Sequence, residues 1–352
     1  MKILFTTCLI SFSALAAPLE LKRSWSRISN PLIMNATFER SFSKLPLNGM
    51  FKGEKRMWSG DYWALKKGNI NQRWNLPVPV GFKLISPTRE EVIAMDIEAL
   101  KTLAPSEKFD LLNGRYDYPL KNKIAKIARE TAQDWEGICH GWALATMHHD
   151  EPQPKILNNP ENIPIPFGSA DIKALISHYY ARVHEVESTY QIGRRCRTLS
   201  PIGGDTCKHD MNAGAFHIVM ANQIGLKAKS FVADLNFGTG VANHSLHSYT
   251  TSIQADDLPP GRKSAPGTVK RIRVATDLKY VTESDKNTWL PVLGTDLQKY
   301  KNLIFKYNLD IDRSGNIIGG DWLSKERPDF LWTMSKVKTF KDEFARLKEL
   351  MD

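Results

Sequence analysis

The sequence predicts an α+β fold in which a helical first half precedes an antiparallel sheet. Segments with helical apolar spacing or N-terminal capping signals begin after Pro87, at Cys139 and at Ser169. After about residue 216 the pattern changes to short apolar runs of alternating character separated by turn residues, which is typical of strands. This order of helices and then strands favours α+β over an alternating α/β fold.

Local signals support each helix of the first half. Thr88 with Glu91 three residues later forms a capping box, and Gly114 would end a short helix over 106–113. We expect further helices over 122–132, from Cys139 to about Met147, from Ser169 onward and over 336–352.

The second half contains five segments that we expect to be strands. FHIVMAN and KSFVAD flank the short turn around Gly225 and would pair as a hairpin, which is followed by SLHSYTTSI, VKRIRVAT and NLIFKYNLDID.

The segment QDWEGICHGW, residues 133–142, carries the strongest chemical signal. It places Cys139 at the start of a helix, where the helix N-terminus favours thiolate over thiol. The amide of Gln133, six residues earlier, and the backbone N–H of Cys139 would flank a developing oxyanion. Papain-like thiol enzymes use this arrangement. Trp135 and Trp142 would either wall the substrate cleft or pack in the core.

The predicted hairpin supplies a partner for the thiol. His217 lies where we expect the entrance of the first strand, and Asp234 ends the paired strand seventeen residues later. Both would then lie at the same end of the hairpin, so that Asp234 orients the imidazole. Asn243 is an alternative orienting group. His244 and His247, which follow it, could approach the site, but we rather expect them to lie on the surface or on a sheet face.

Cysteine usage is consistent with an exported thiol enzyme. Lys2, the apolar run from Ile3 to Phe12 and the small-residue box at Ala14–Ala16 predict a signal peptide over residues 1–16, and therefore a secreted or periplasmic protein. Cys8 would leave with the signal, and Cys196 and Cys207 would form a disulfide in an oxidising compartment. Cys139 would remain free.

These observations divide the chain into four parts. Residues 1–16 are the signal peptide, 17–85 an aromatic-rich extension wrapped around the core, 86–335 a papain-like catalytic domain, and 336–352 a C-terminal helix. Residues 17–57 would alternatively be a removable prosegment. The sequence leaves the oligomeric state open.

Charge and missing motifs exclude several classes of function. The net charge of +10, or +9 without Lys2, favours contact with acidic cell-surface polymers. No nucleic-acid-binding motif, phosphate loop, dinucleotide fingerprint or zinc motif occurs, and no further apolar stretch is long enough to span a membrane.

Four segments resemble the transglutaminase-elicitor family of secreted papain-like transglutaminases from oomycetes and bacteria: DWEGICHGWA, IPFGSADIKALISHYYA, NAGAFHIVMANQIGLKAKSFVAD and IIGGDWLSKERPDFLW. The resemblance implies that Cys139 is the nucleophile, His217 the imidazole, and Asp234 or a residue just after it the third member. Where the family tends to have Trp-Asn-Gln-Pro, this chain has VANHSL and retains only Asn243.

The resemblance implies cross-linking of protein substrates. Cys139 would attack a glutamine carboxamide, release ammonia and form a thioester, which a lysine amine converts into an isopeptide bond. The residues leave two alternatives open: a cysteine peptidase or wall amidase with the same triad, and a catalytically silent, surface-binding elicitor-like protein.

No cofactor is required by this chemistry, but one segment has the spacing of a calcium loop. In DIDRSGNIIGGD, Asp310, Asp312, Ser314, Asn316 and Asp321 offer oxygen ligands. A plain hairpin turn explains the same residues.

Overall fold

A computed structural model describes residues 25–35, 37–53, 56–76, 82, 84–184, 189–195, 211–235 and 240–352. The predicted signal peptide, Cys196 and Cys207 lie outside these residues. Within the described ranges, no helix combines the length and the apolar character needed to cross a bilayer.

Helices dominate the first half and recur at two later places. They are α1 (Arg89–Ala94), α2 (Ile97–Lys101), α3 (Pro105–Leu112), α4 (Pro119–Ala125), α5 (Cys139–His148), α6 (Ser169–Arg182), α7 (Ala213–Met220) and α8 (Leu347–Met351). The last turn of α7 continues as a π-helical segment, Ala221–Leu226.

Most strands form one antiparallel sheet. The strands are β1 (Asn48–Met50), β2 (Lys155–Asn158), β3 (Pro164–Phe167), β4 (Thr189–Gly193), β5 (Val232–Asp234), β6 (Asn243–Leu258), β7 (Lys270–Val281), β8 (Tyr300–Ile311), β9 (Ile317–Trp322) and β10 (Phe330–Met334). The sheet order is β4-β10-β5-β6-β7-β8-β9, with β1 also paired to β6 and with β2 and β3 forming a separate ribbon.

The sheet separates two buried clusters. On β5, Val232 belongs to the same cluster as Trp142 of α5, whereas the next residue, Ala233, belongs to the same cluster as Phe216 of α7. Because successive strand residues point to opposite faces, α5 and α7 cover opposite faces of the sheet.

Local capping places several helices as the sequence predicts. Thr88 accepts from the N–H of Glu91, and the Glu91 carboxylate accepts from the N–H of Thr88, so the capping box of α1 is confirmed. The helix that ends before Gly114 and the helix that begins at Ser169 are also present. Mixed helices and an antiparallel sheet confirm the α+β class.

The predicted strand FHIVMAN is wrong. Residues 213–220 form α7, whose N-terminal N–H groups on Gly214 and Ala215 are bound by the Asn212 side chain. All residues of α7 are buried and, apart from His217, they are apolar or glycine, so its apolar run does not distinguish it from a buried strand. Gly214 permits a close approach to β9, since a Cβ there would lie 2.3 Å from the carbonyl oxygen of Gly319.

Two other predicted helices are shorter than expected. The helix over 122–132 is α4, which begins earlier and ends at Ala125. After β10, residues 335–341 have no regular secondary structure, and the N–H of Val337 is bound to the Tyr180 hydroxyl. A 3-10 turn follows at Asp342–Phe344, and only Leu347–Met351 is α-helical. Anchoring by a tertiary contact overrides the local helical spacing there.

The segment before α1 contributes to the core. Trp58 and Trp63 are buried with the α5 cluster, and the backbone of Trp58 both donates to and accepts from the Thr146 hydroxyl on α5. Trp25, Met34 and Leu45 are buried on the α7 face. The described part of 17–85 therefore packs against both faces of the sheet.

A buried histidine on α6 predicts acid sensitivity. Both ring nitrogens of His178 lack a hydrogen-bond partner among the described residues, and burial lowers its pKa to about 3. Below pH 6.5 the unfolded chain binds a proton that the folded chain does not, so this residue's contribution falls by about 1.4 kcal/mol per pH unit toward pH 3. Other buried histidines such as His217 add to the pH dependence of urea unfolding between pH 7 and pH 4. His178→Leu should therefore lower the total slope by about 1.4 kcal/mol per pH unit, the contribution of one proton. An unchanged slope would contradict the assignment.

Candidate functional site

The two residues that precede Cys139 are held in place by contacts with the Tyr62 backbone. The Ile138 N–H donates to the Tyr62 carbonyl at 2.7 Å, and its own carbonyl accepts from Gly141 and Trp142 in the first turn of α5. Gly137 is required at this approach, because a Cβ there would lie 2.3 Å from the Tyr62 carbonyl oxygen. Cys139 is thus the first residue of a ten-residue helix.

One side chain is hydrogen-bonded to the sulfur of Cys139. Asn243, the first residue of β6, directs its amide Nδ2 to Cys139 Sγ at 3.7 Å. Its Oδ1 accepts from the indole Nε1 of Trp332 on β10 at 2.8 Å. The sulfur is nearly enclosed, with Cys139 7% exposed.

The pKa of Cys139 is raised rather than lowered. Burial is the largest cause, and the negative charges of Glu283 and Asp234 add to it, whereas hydrogen bonds from the backbone and side chain of Asn243 act in the opposite direction. The raised pKa favours the thiol over the thiolate at neutral pH. This differs from the expected thiolate, since the helix N-terminus does not outweigh desolvation. A base must remove the thiol proton during attack.

His217 does not lie beside this thiol. It is fully buried in α7, on the opposite face of the sheet from α5, where Nδ1 is 2.9 Å from the Tyr307 hydroxyl. Burial lowers its pKa to about 4. The expected position at a strand entrance is wrong because the segment is helical, and the hairpin that would have joined it to Asp234 does not exist.

Asp234 and Asn243, unlike His217, lie together near the thiol. They are Cα partners where β5 meets β6, and Asp234 Oδ1 accepts from the N–H of Ala242 at 2.8 Å. The structure thus brings together Cys139, Asn243 and Asp234.

A different histidine contacts a side chain of α5. The ring of His244 packs edge-on against Trp142, three residues after Cys139, with 5.9 Å between ring centroids. Its Nδ1 is 3.0 Å from the carbonyl oxygen of Val281, an acceptor only, so Nδ1 carries the proton and Nε2 is left as an acceptor. Burial lowers its pKa and the charge of Glu283 raises it, with burial the larger effect.

Comparison with known proteins gives the family. A family model described as "Transglutaminase elicitor" matches residues 122–343. The chain belongs to the transglutaminase elicitor family. The crystal structure of the GP42 transglutaminase from Phytophthora sojae matches with a TM-score of 0.66 and 19% identity, over 91% of this chain and 95% of that one. This similarity shows a shared fold. No curated protein matches the sequence.

The other candidate cleft residues are Gln133, Trp135 and Trp142, which all lie within the range matched by the family model. Gln133 is exposed in a turn closed by its backbone bonds with Glu136, and Asn243, not Gln133, is the side chain bonded to the sulfur. Trp142 is 1% exposed and packs in the core, so it does not wall an open cleft. Trp135 is half-buried, with the Arg195 guanidinium 4.7 Å from its ring centroid.

Residues 310–321, which have the spacing of a calcium loop, form a hairpin turn. The carboxylates of Asp310 and Asp321 pair with Arg271, and Asp312 accepts from the N–H groups of Ser314 and Asn316 in the turn. Among the described residues, no group of three or more His, Cys, Asp or Glu side chains is arranged to hold a metal. The geometry therefore favours the hairpin-turn interpretation, and calcium dependence stays a prediction.

Two side chains near this site, Trp332 and Glu283, were not predicted, because they lie far from Cys139 in the chain. For His244, a place near the site was a weaker alternative to a surface or sheet-face position. The one signal for His244 was its position next to Asn243 at the start of a strand.

Proposed function

We propose that the protein is an exported acyltransferase that forms isopeptide bonds between glutamine and lysine side chains. The observation that supports this most directly is the thiol of Cys139 at the N-terminus of α5 with a polar partner, Asn243, against it. Family membership supports the choice of a glutamine carboxamide as acyl donor.

In the proposed reaction, the Cys139 sulfur attacks the carboxamide carbon while a base takes the thiol proton. The tetrahedral intermediate collapses, the C–N bond breaks, and the proton leaves with ammonia. A lysine amine then attacks the thioester carbon, loses a proton to the same base, and the thiol is restored.

We propose His244 as this base, because its ring packs against Trp142 in the first turn of α5. Its Nε2 carries no proton, and burial keeps the ring neutral at pH 7, so it is able to accept the proton of a neutral thiol. Glu283 would stabilise the imidazolium that results. A neutral thiol with a neutral imidazole replaces the expected thiolate–imidazolium pair.

Cys139→Ala should abolish amine incorporation, lowering it at least about 1000-fold, because Cys139 is the only cysteine among the described residues and a thioester needs a thiol. The purified protein is incubated with casein and a biotinylated primary amine, and covalent biotin and ammonia are measured. Circular dichroism should show an unchanged fold. Retained activity in the variant would contradict the nucleophile assignment.

The same assay decides between the proposal and its alternatives. Release of casein fragments that depends on Cys139 would favour a peptidase. The raised pKa of Cys139 favours one other candidate, a catalytically silent surface-binding member of the family. That candidate predicts neither amine incorporation nor fragments from the wild-type protein.

A further inference from the structure

We propose that Asn243 and Trp332 form a donor pair, in which Trp332 positions the Asn243 amide so that an N–H, and not the carbonyl oxygen, faces the sulfur of Cys139. This inference rests on the proposed function, because it concerns how the nucleophile of that reaction is stabilised. It assigns Asn243 a contact with the reacting atom and Trp332 a positioning role.

The sheet register brings the indole to the amide. Trp332 on β10 is the Cα partner of Val232 on β5, which is in turn the partner of Ser245 on β6. Cα partners share a face of the sheet, so Trp332 and Ser245 lie on the same face. Asn243 is two residues before Ser245 and shares that face, toward α5. Ser245 confirms the direction, because its hydroxyl donates to the carbonyl of Ala143 on α5.

The chemistry of the indole determines which way the amide is turned. An indole N–H donates and cannot accept, so the Asn243 atom 2.8 Å from Trp332 Nε1 must be the carbonyl oxygen. The amide nitrogen then points to Sγ, where it donates. Without the indole, nothing else described here would prevent the amide from presenting its oxygen to the sulfur.

A donor is needed because the other charges near the sulfur are unfavourable. Asp234 at the end of β5 and Glu283 after β7 are both acidic, and each opposes negative charge on Cys139. An N–H donated to sulfur stabilises the charge that develops in attack. It acts again when the lysine amine expels the thiolate from the thioester.

The test measures the sulfur directly. Alkylation of Cys139 by iodoacetamide is followed against pH by mass spectrometry of the peptide that contains Cys139. Trp332→Phe retains an aromatic ring and removes the N–H, and it should move the alkylation midpoint upward by about one pH unit, equivalent to about tenfold slower alkylation below the midpoint. Asn243→Asp, which replaces the donor by a charged acceptor, should move it further.

Trp322→Phe is the matched control. The Trp322 indole also donates a hydrogen bond, to the Met211 carbonyl at 2.7 Å, but it is partly buried and packs against the α7 cluster. Its alkylation midpoint should equal that of the wild type. Trp332→Phe should also have little effect in an Asn243→Ala background, because no amide is left to position.

The proposed pair would be wrong if Trp332→Phe and Trp322→Phe had equal alkylation midpoints. It would also be wrong if the midpoint shifts of Trp332→Phe and Asn243→Ala were fully additive in the double variant. Alkylation needs no acyl donor, so a midpoint shift in a protein without amine incorporation would leave the pair standing and reject the proposed function. Amine incorporation by the wild type, with no midpoint shift in Trp332→Phe, would support the proposed function and reject the pair. In an active protein, Trp332→Phe should lower kcat about tenfold with KM unchanged.

Discussion

Asp171→Asn is expected to destabilise the protein by about 3–5 kcal/mol, because it leaves a buried ammonium without its counter-charge. Lys108 Nζ of α3 lies 2.7 Å from Asp171 Oδ2 of α6, and both side chains are completely buried. The carboxylate also accepts from the indole of Trp74 and the N–H of Gly168. Urea unfolding followed by tryptophan fluorescence measures the loss.

An exposed ion pair provides the control for this substitution. Lys101 and Glu98 are 2.6 Å apart on α2, with the Glu98 side chain 71% exposed. Glu98→Gln should cost less than about 1 kcal/mol, since water screens the pair. The double variant Lys108→Met, Asp171→Asn should recover much of the stability, because it removes the buried charge. Equal losses in Asp171→Asn and Glu98→Gln would show that burial of the pair is not what matters.

His244→Gln is expected to lower kcat for amine incorporation by about 10²–10⁴-fold, the usual cost of losing a general base. Wild-type activity should fall as the pH decreases through the pKa of His244, which burial lowers below 6.5, because the imidazole must be neutral to accept the thiol proton. Steady-state kinetics between pH 4 and pH 9 measure both effects.

Two other histidines make the test specific. His247→Gln alters the next histidine along β6, whose Nδ1 contacts the Ser248 hydroxyl, and it should leave kcat unchanged. His217→Gln alters the residue that the resemblance implied, on the far face of the sheet, and should affect stability more than kcat. If His217→Gln folded but were inactive while His244→Gln stayed active, the general base would be His217 on α7 and not His244.

Residues close together in the chain were predicted well. The capping box of α1 joins Thr88 and Glu91, and the start of α5 at Cys139 depends on the few residues before it. Hydrogen bonds of this kind form within one turn of helix, so the local sequence contains all the partners involved.

The partner of the thiol was not predicted, and the error began with one element. The apolar run around His217 fits a buried strand and a buried helix equally, and capping by Asn212 and packing on β9 make it a helix. That change moves His217 to the face opposite α5. The predicted hairpin between His217 and Asp234 is therefore absent, although Asp234 and Asn243 are paired where β5 meets β6.

The sequence by itself determined the α+β class, the family and the position of Cys139 at a helix start, since these follow from local patterns and short motifs. Only the tertiary structure decided what faces the sulfur. Asn243 is 104 residues from Cys139, and Trp332 is a further 89 residues along the chain. Their meeting depends on the order and register of β10, β5 and β6, which is set by long-range pairing and by which face of each strand is buried.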